Sequence, residues 1–193
     1  MQDALIFIVR TLVDLYIITF VLRIVMQWIR ADYRNPLTQF IVRITNPLVV
    51  PLRRIVPAAG NLDTASLIVV VVLELVVTVA LINLTCSGQP PLVNVLALTV
   101  LRTIYVMLRL YLFVLLIYVI LSWINPGTFN PVSSLLASIV EPLLRRLRRY
   151  VPPIGGLDLS ALFALIGIQA ITMLLPIDRV AASVGCLSYG QFL

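Results

Sequence analysis

Four long apolar stretches, at residues 4–29, 64–84, 95–124 and 159–175, limit what this chain can become. As α-helices rising 1.5 Å per residue, each can cross roughly 30 Å of hydrocarbon. The third is longer than a span needs, so its membrane part is expected to begin near Arg102, after a short turn or helical extension. A soluble alternative fails on charge. Only 11% of the 193 residues are charged and the mean hydropathy is +1.10, whereas a soluble domain carries about 25% charged residues. The first stretch contains Arg10 and no small-residue cleavage site, so it reads as a span and not as a cleaved signal.

Sliding the chain by 95 positions aligns its halves without a gap, and residues 28–63 match 123–158 at 15 of 36 positions. Trp28 meets Trp123, Asn35-Pro36 meets Asn130-Pro131, and Pro47-Leu48 meets Pro142-Leu143. Arg53-Arg54 meets Arg148-Arg149, Gly60 meets Gly155, and Asp63 meets Asp158. The chain is a duplication. The expected fold is an all-α membrane protein with four transmembrane helices in two repeats, residues 1–90 and 91–193. Each repeat carries an interfacial amphipathic helix between its two spans. Units that cross twice share one orientation, related by a pseudo-twofold axis along the membrane normal.

All fourteen basic residues are arginine, with no lysine or histidine. Most lie between the spans of each half, so the positive-inside rule makes these loops cytoplasmic and sends both termini to the opposite side. The formal charge of +6 therefore suits phospholipid head groups and gives no reason to expect nucleic acid.

The repeated arginine phrase has helical periodicity. In the second copy Leu135, Leu136, Ile139, Val140, Leu143, Leu144 and Leu147 form an apolar stripe, opposite Ser138, Glu141, Arg145, Arg148 and Arg149. Such a segment is expected to lie in the interface, its apolar face toward the acyl boundary. Pro47, Pro51 and Pro142 are expected to kink or split these helices. Arg53, Arg54, Arg145, Arg146, Arg148 and Arg149 are the candidate groups for docking anionic lipid or a partner. Gly60 and Gly155 permit a return turn, and Asp63 and Asp158 are placed to cap the next span.

Duplicated W…NP…PL…RR…P..G..D units between flanking membrane helices resemble the YggT family of bacterial inner-membrane proteins, which has chloroplast relatives. The resemblance implies an integral inner-membrane protein without established enzymology. It implies association with osmotic or ionic stress tolerance, or with cell division and envelope organisation. For plastid relatives it implies cofactor assembly onto a membrane cytochrome. Arg146 departs from the pattern by standing where the first copy has Pro51.

Ionisable groups inside spans each need a partner or water. Asp14 and Arg109 occupy equivalent repeat positions, each roughly 21 Å along the helix from its tryptophan, so a cross-repeat ion pair is expected, with Arg10 as a competitor for Asp14. Arg23 and Glu74 correspond to Tyr118 and Gln169, which suggests contact between the helices of each unit. Their role is either buried packing glue or an ion or proton pathway. Cys86 and Cys186 follow the second and fourth spans and are either bonded to each other, free, or paired between molecules.

No GxxxxGK[ST], HExxH or GxSxG stretch occurs, and histidine, the commonest general base, is missing. An enzyme is not expected, nor a cofactor or metal. The leading expectation is a non-catalytic membrane scaffold or assembly factor that meets anionic lipids and a membrane-protein partner or a second copy of itself. The alternative is an ion (potassium or proton) transport subunit or channel modulator.

Overall fold

The computed structural model of the chain describes residues 2–56, 63–85, 90–124, 130–151 and 158–183. Gly60, Gly155, Cys86 and Cys186 lie outside the described residues. Seven helices follow one another: α1 (Gln2–Trp28), α2 (Pro36–Arg53), α3 (Thr64–Thr85), α4 (Leu92–Ile124), α5 (Pro131–Leu147), α6 (Leu159–Leu174) and α7 (Ile177–Ser183). No strand occurs among the described residues. That outcome is informative for α3, whose run of valine and isoleucine would favour a strand in water. In hydrocarbon a helix satisfies every backbone group within its own segment, and this overrides the propensity.

Among the described residues three stretches are long and apolar enough to cross a membrane: Thr64–Leu84, Leu92–Ser122 and Leu159–Ser183. The last is α6 continued past Pro176 into α7, a short helix that the sequence reading does not contain. α4 runs unbroken from Leu92, so the expected extension before Arg102 is helical. α1, the remaining span expected from the sequence, carries Arg10, Asp14 and Arg23 along its 27 residues.

α4 is the hub. It packs on α5, α6 and α7 as well as on α1 and α3, while α1 packs on α2 and α3. One core joins Ile17, Phe20 and Val21 of α1 to Val49 of α2 and Val70 of α3. Another joins Val114 and Leu115 of α4 to Leu135, Ile139, Val140 and Leu144 of α5 and Ala164 of α6. Much of the α5 stripe assigned to the acyl boundary is therefore turned onto α4 and α6, because a neighbouring protein surface buries it more completely than the interface would. α2 keeps the outward apolar side chains, with Phe40 61% and Leu48 41% exposed.

Each Asn-Pro pair starts a helix. Asn35 Oδ1 accepts from the Leu37 amide at 2.9 Å and Asn130 Oδ1 from the Val132 amide at 3.1 Å, while the following proline takes the first helical position, where no donor is needed. The Asn35 amide also donates to the Pro131 carbonyl at 2.6 Å, which sets the two helix starts side by side. The expected splitting at proline does not occur. α2 runs through Pro47 and Pro51, and α5 through Pro142. All three prolines are exposed, so the carbonyls they leave without an N–H partner lie where polar groups outside the bundle can reach them.

Asn130→Ala should cost about 1 kcal/mol through loss of the cap. Asn35→Ala should cost about 2 kcal/mol, because the bond to α5 is lost as well. Reversible unfolding in detergent compares the two, and equal losses would contradict the bridging role of Asn35.

Candidate functional site: two arginine–aspartate clasps and a buried charge network

At one end of the helix bundle an arginine from the end of each amphipathic helix reaches forward ten residues to an aspartate. Arg53 donates from Nη2 to Asp63 Oδ2 at 2.6 Å and from Nε to Oδ1 at 3.2 Å. Arg148 donates from Nη2 and Nε to Asp158 Oδ2 at 2.6 and 2.9 Å. Each carboxylate also serves the helix that follows it. Asp63 accepts from the Ser66 hydroxyl at 2.6 Å, and its Oδ1 lies 3.4 Å from the Ser66 amide. Asp158 is the N-cap of α6, accepting from the Ser160 amide at 3.1 Å and from the Ser160 hydroxyl. A negative charge at this position also complements the helix dipole.

Burial pushes the Asp63 carboxyl up, but bonds from Arg53 and Ser66 outweigh it and hold the group below its ordinary value of 3.8. Asp158 behaves the same way: burial raises it, and Ser160 and Arg148 bring it below 3.8. Burial would lower Arg148, yet the bond to Asp158 and its charge, a bond to Tyr118 and the charge of Glu141 leave it raised.

The first clasp holds a second guanidinium. Arg23, only 5% exposed, lies 3.3 Å from Asp63 and donates to the Thr45 hydroxyl at 2.6 Å and to Asn46 Oδ1 at 2.9 Å. Arg23 thus turns toward the arginine-rich end and does not meet Glu74, the contact expected within the first unit. A long side chain near a helix end extends toward the polar boundary, where its charge is better solvated. Beside it lies a cavity of about 570 Å³ lined by Arg23, Gln27, Arg30, Tyr33, Asn46 and Arg53. Arg30 ends α1 in the left-handed conformation, with φ 54°. The Ala31 amide bonds to the Met26 carbonyl at 2.8 Å and the Arg30 amide to the Gln27 carbonyl at 3.2 Å. Glycine ordinarily fills this place in such a turn, and a residue with a Cβ costs roughly 1–2 kcal/mol there.

The other polar cluster lies inside the bundle. Arg102 of α4 bonds to Glu74 of α3 at 3.0 Å and lies 3.8 Å from Asp14 of α1, which lies 3.6 Å from Arg10. Two cations and two anions therefore join three helices. Glu74 is fully buried and Arg102 3% exposed. The expected Asp14–Arg109 pair is replaced by Asp14–Arg102, two helical turns along α4, roughly 10 Å. Arg102 reaches the buried Glu74 and the half-buried Asp14 at once. Arg109 is exposed and sits over the Tyr105 and Phe113 rings, at 5.8 and 6.0 Å.

Of the remaining sequence candidates, Tyr118 bonds to Arg148 and not to Gln169, which lines a cavity of about 500 Å³ with Tyr105 and Arg109. Arg54, Arg145, Arg146 and Arg149 are exposed, Arg145 with Glu141 at 3.7 Å. Arg102 is the member of the buried network that the sequence analysis placed only at a membrane boundary. Its position 11 residues into a 33-residue helix longer than a span needs was the available signal.

A family model described as CCB3/YggT matches the chain twice, over residues 2–84 and 97–177. An uncharacterized protein of Pseudomonas aeruginosa is 41% identical over 186 residues, covering 96% of this chain and 94% of its own. The uncharacterized protein YggT of Escherichia coli K12 is 35% identical over 173 residues, 89% of each chain. A chloroplastic protein of Arabidopsis thaliana, YlmG homolog protein 2, is 35% identical over 81 residues, 39% of this chain and 31% of that protein. No solved structure matches the chain.

Glu74→Gln and Arg102→Gln should each cost about 3–5 kcal/mol, because each strands a buried charge. The double variant should cost much less than their sum. Unfolding titrations test this, and additive losses would show that the two groups do not interact. The clasps should also make stability acid-sensitive. A carboxyl whose folded pKa is depressed contributes fully above its unfolded value and loses that contribution as pH falls through the folded value. Thermal stability should therefore decline below about pH 4, and less steeply in Asp63→Asn and Asp158→Asn. Equal acid slopes in wild type and variants would contradict the clasps.

Proposed function

The chain belongs to the CCB3/YggT family, and on that premise we propose that it is a non-catalytic inner-membrane scaffold or assembly factor. In this reading four helices span the bilayer as two like-oriented repeats. The arginine-rich ends face the cytoplasm, and both termini lie on the periplasmic side. α2 and α5 form a basic platform that meets the anionic leaflet and docks a membrane-protein partner or a second copy of the chain. The physiological setting is osmotic or ionic stress tolerance, or the organisation of envelope and division machinery.

One observation carries the reading. The Asn35–Pro131 bond sets α2 and α5 side by side, and Arg54, Arg145, Arg146 and Arg149 stand exposed beside them, outside the bonds that Arg53 and Arg148 make to aspartate. Exposed Ile55 and Tyr150, at 79% and 85%, stand among these guanidinium groups. Apolar side chains beside arginine suit a surface that is both anionic and greasy. The ion-transport reading has its own support. Asp14 Oδ1 and Glu74 Oε1 are buried with no hydrogen-bond partner, and a cavity of about 360 Å³ adjoins Asp14.

Replacing Arg54, Arg145, Arg146 and Arg149 together by glutamine leaves both clasps in place. Each replacement should cost about 1 kcal/mol of attraction to an anionic surface, and crosslinks from α2 and α5 to the partner in native membranes should disappear. Liposomes containing the wild type should pass no potassium or protons. Unchanged crosslinking in the variant would overturn the scaffold reading, and Glu74-dependent flux would establish the transport reading in its place.

A further inference from the structure

The two repeats do not pack alike at their outer helices. Across the repeat boundary α3 lies along α4, but the corresponding pair, α6 and α1, forms no packed interface among the described helices. An opening is left between α1 and α6. Its floor is α4, through Tyr105, Arg109 and Phe113, which follow one another at helical spacing of four. These three side chains line a cavity of about 360 Å³ toward α1 and another of about 500 Å³ toward α6.

Arg109 is exposed at the centre of this floor. The Tyr105 and Phe113 rings lie within cation–π range and hold its guanidinium in place. Its N–H groups are nearly unused. Among the described residues it makes one hydrogen bond, from Nη1 to the Tyr105 hydroxyl at 3.4 Å, and no ion pair. The exposed Gln169 amide, on the wall of the larger cavity, donates no hydrogen bond among the described residues. Gln169 stands ten residues along α6 from Leu159, roughly 15 Å from the capped start and about half the thickness of the hydrocarbon. A guanidinium at that depth calls for an anion, and leaflet phosphates lie outside the hydrocarbon. A second copy of the chain has no free carboxylate at this level among the described residues. Glu74 is buried on Arg102, Asp14 lies against Arg10 and Arg102, and Asp178 stands nine residues beyond Gln169, past the break at Pro176.

We propose that the opening between α1 and α6 docks a membrane-spanning helix of a different protein, which sets an aspartate or glutamate near its midpoint on Arg109. The carboxylate takes paired N–H groups along the unused edge of the guanidinium, a geometry that the planar fork matches well. Gln169 adds a second polar contact, and apolar side chains of the docked helix fill the cavities on either side of the floor. Within the chain α3 already makes such a contact, bringing Glu74 to Arg102 of α4. The docked helix does the same for Arg109. The inference rests on the reading that α4 and α6 cross the bilayer, and adds to it a docking surface inside the membrane, apart from the basic platform.

Energy transfer between the labelled full chain and labelled synthetic helices in phosphatidylcholine vesicles tests the proposal. The probes are apolar helices of about 20 residues with leucine, glutamine or glutamate at the centre, so that either orientation presents the same group. The wild type should bind the glutamate helix at least about tenfold more tightly than the other two. Arg109→Gln should lose that preference while thermal stability stays equal or rises, because no ion pair of the chain is broken, so a folding defect cannot account for the loss. Replacing Arg54, Arg145, Arg146 and Arg149 by glutamine should leave the preference intact. Equal binding of the three helices by the wild type, or a glutamate preference that survives Arg109→Gln, would overturn the site. Transfer between differently labelled copies of the chain that vanishes in Arg109→Gln would overturn a different protein as the occupant. A fluorophore attached through Gln169→Cys, with Cys86→Ser and Cys186→Ser, should be quenched by lipids brominated midway along their chains. Absence of that quenching would instead sink the spanning reading on which the site depends.

Discussion

A guanidinium that reaches ten residues along the chain to a helix-capping carboxylate is the interaction on which the arrangement depends. Through Arg53–Asp63 and Arg148–Asp158, the end of each amphipathic helix is tied to the start of the next apolar helix. The carboxylate is held by two kinds of donor at once, arginine N–H groups and the groups of the capped helix. Removing it would free the arginine, uncap the helix and release α2 or α5 from its place. Because only one arginine of each adjacent pair reaches the aspartate, the same clasp decides which guanidinium group is left for other contacts. Structure and exposed charge are thus set by one contact in each half.

Deeper in the bundle a different rule operates. Arg10, Asp14, Glu74 and Arg102 carry two charges of each sign, so the cluster buries no net charge. Its members come from α1, α3 and α4, and it links α4 to both long helices of the first half. Ion pairs of this kind contribute more to choosing one arrangement of helices than to net stability, since desolvation offsets much of their attraction. Asp14 Oδ1 and Glu74 Oε1, which accept no hydrogen bond, mark the place where the cluster is not fully satisfied.

The sequence made the apolar helices α3, α4 and α6 legible because hydropathy and length act locally. It made the starts of α2 and α5 legible because Asn-Pro sets both a cap and a fixed φ. It did not distinguish Arg53 from Arg54, or Arg148 from Arg149. Adjacent residues on a helix point about 100° apart, and only the packed rotation of α2 and α5 shows which one meets an aspartate. Arg10, the competitor named from the sequence, does lie beside Asp14, but the cross-repeat partner of Asp14 was misjudged for a related reason. Equal depth for equivalent positions holds only if α1 and α4 do not slide past each other, and the pairing with Arg102 in place of Arg109 places them two turns out of that register. α7 escaped notice because seven residues after Pro176 carry no periodic signal of their own.

The central claim is that the clasps place both basic helices at one face of the membrane. It is tested most directly by side-specific thiol labelling in whole cells. With Cys86→Ser and Cys186→Ser as background, Arg54→Cys and Arg149→Cys each supply one exposed reporter outside the clasps. Both should resist a membrane-impermeant maleimide in intact cells and react once the membrane is opened. Reaction of either residue in intact cells, or of one without the other, would contradict the account.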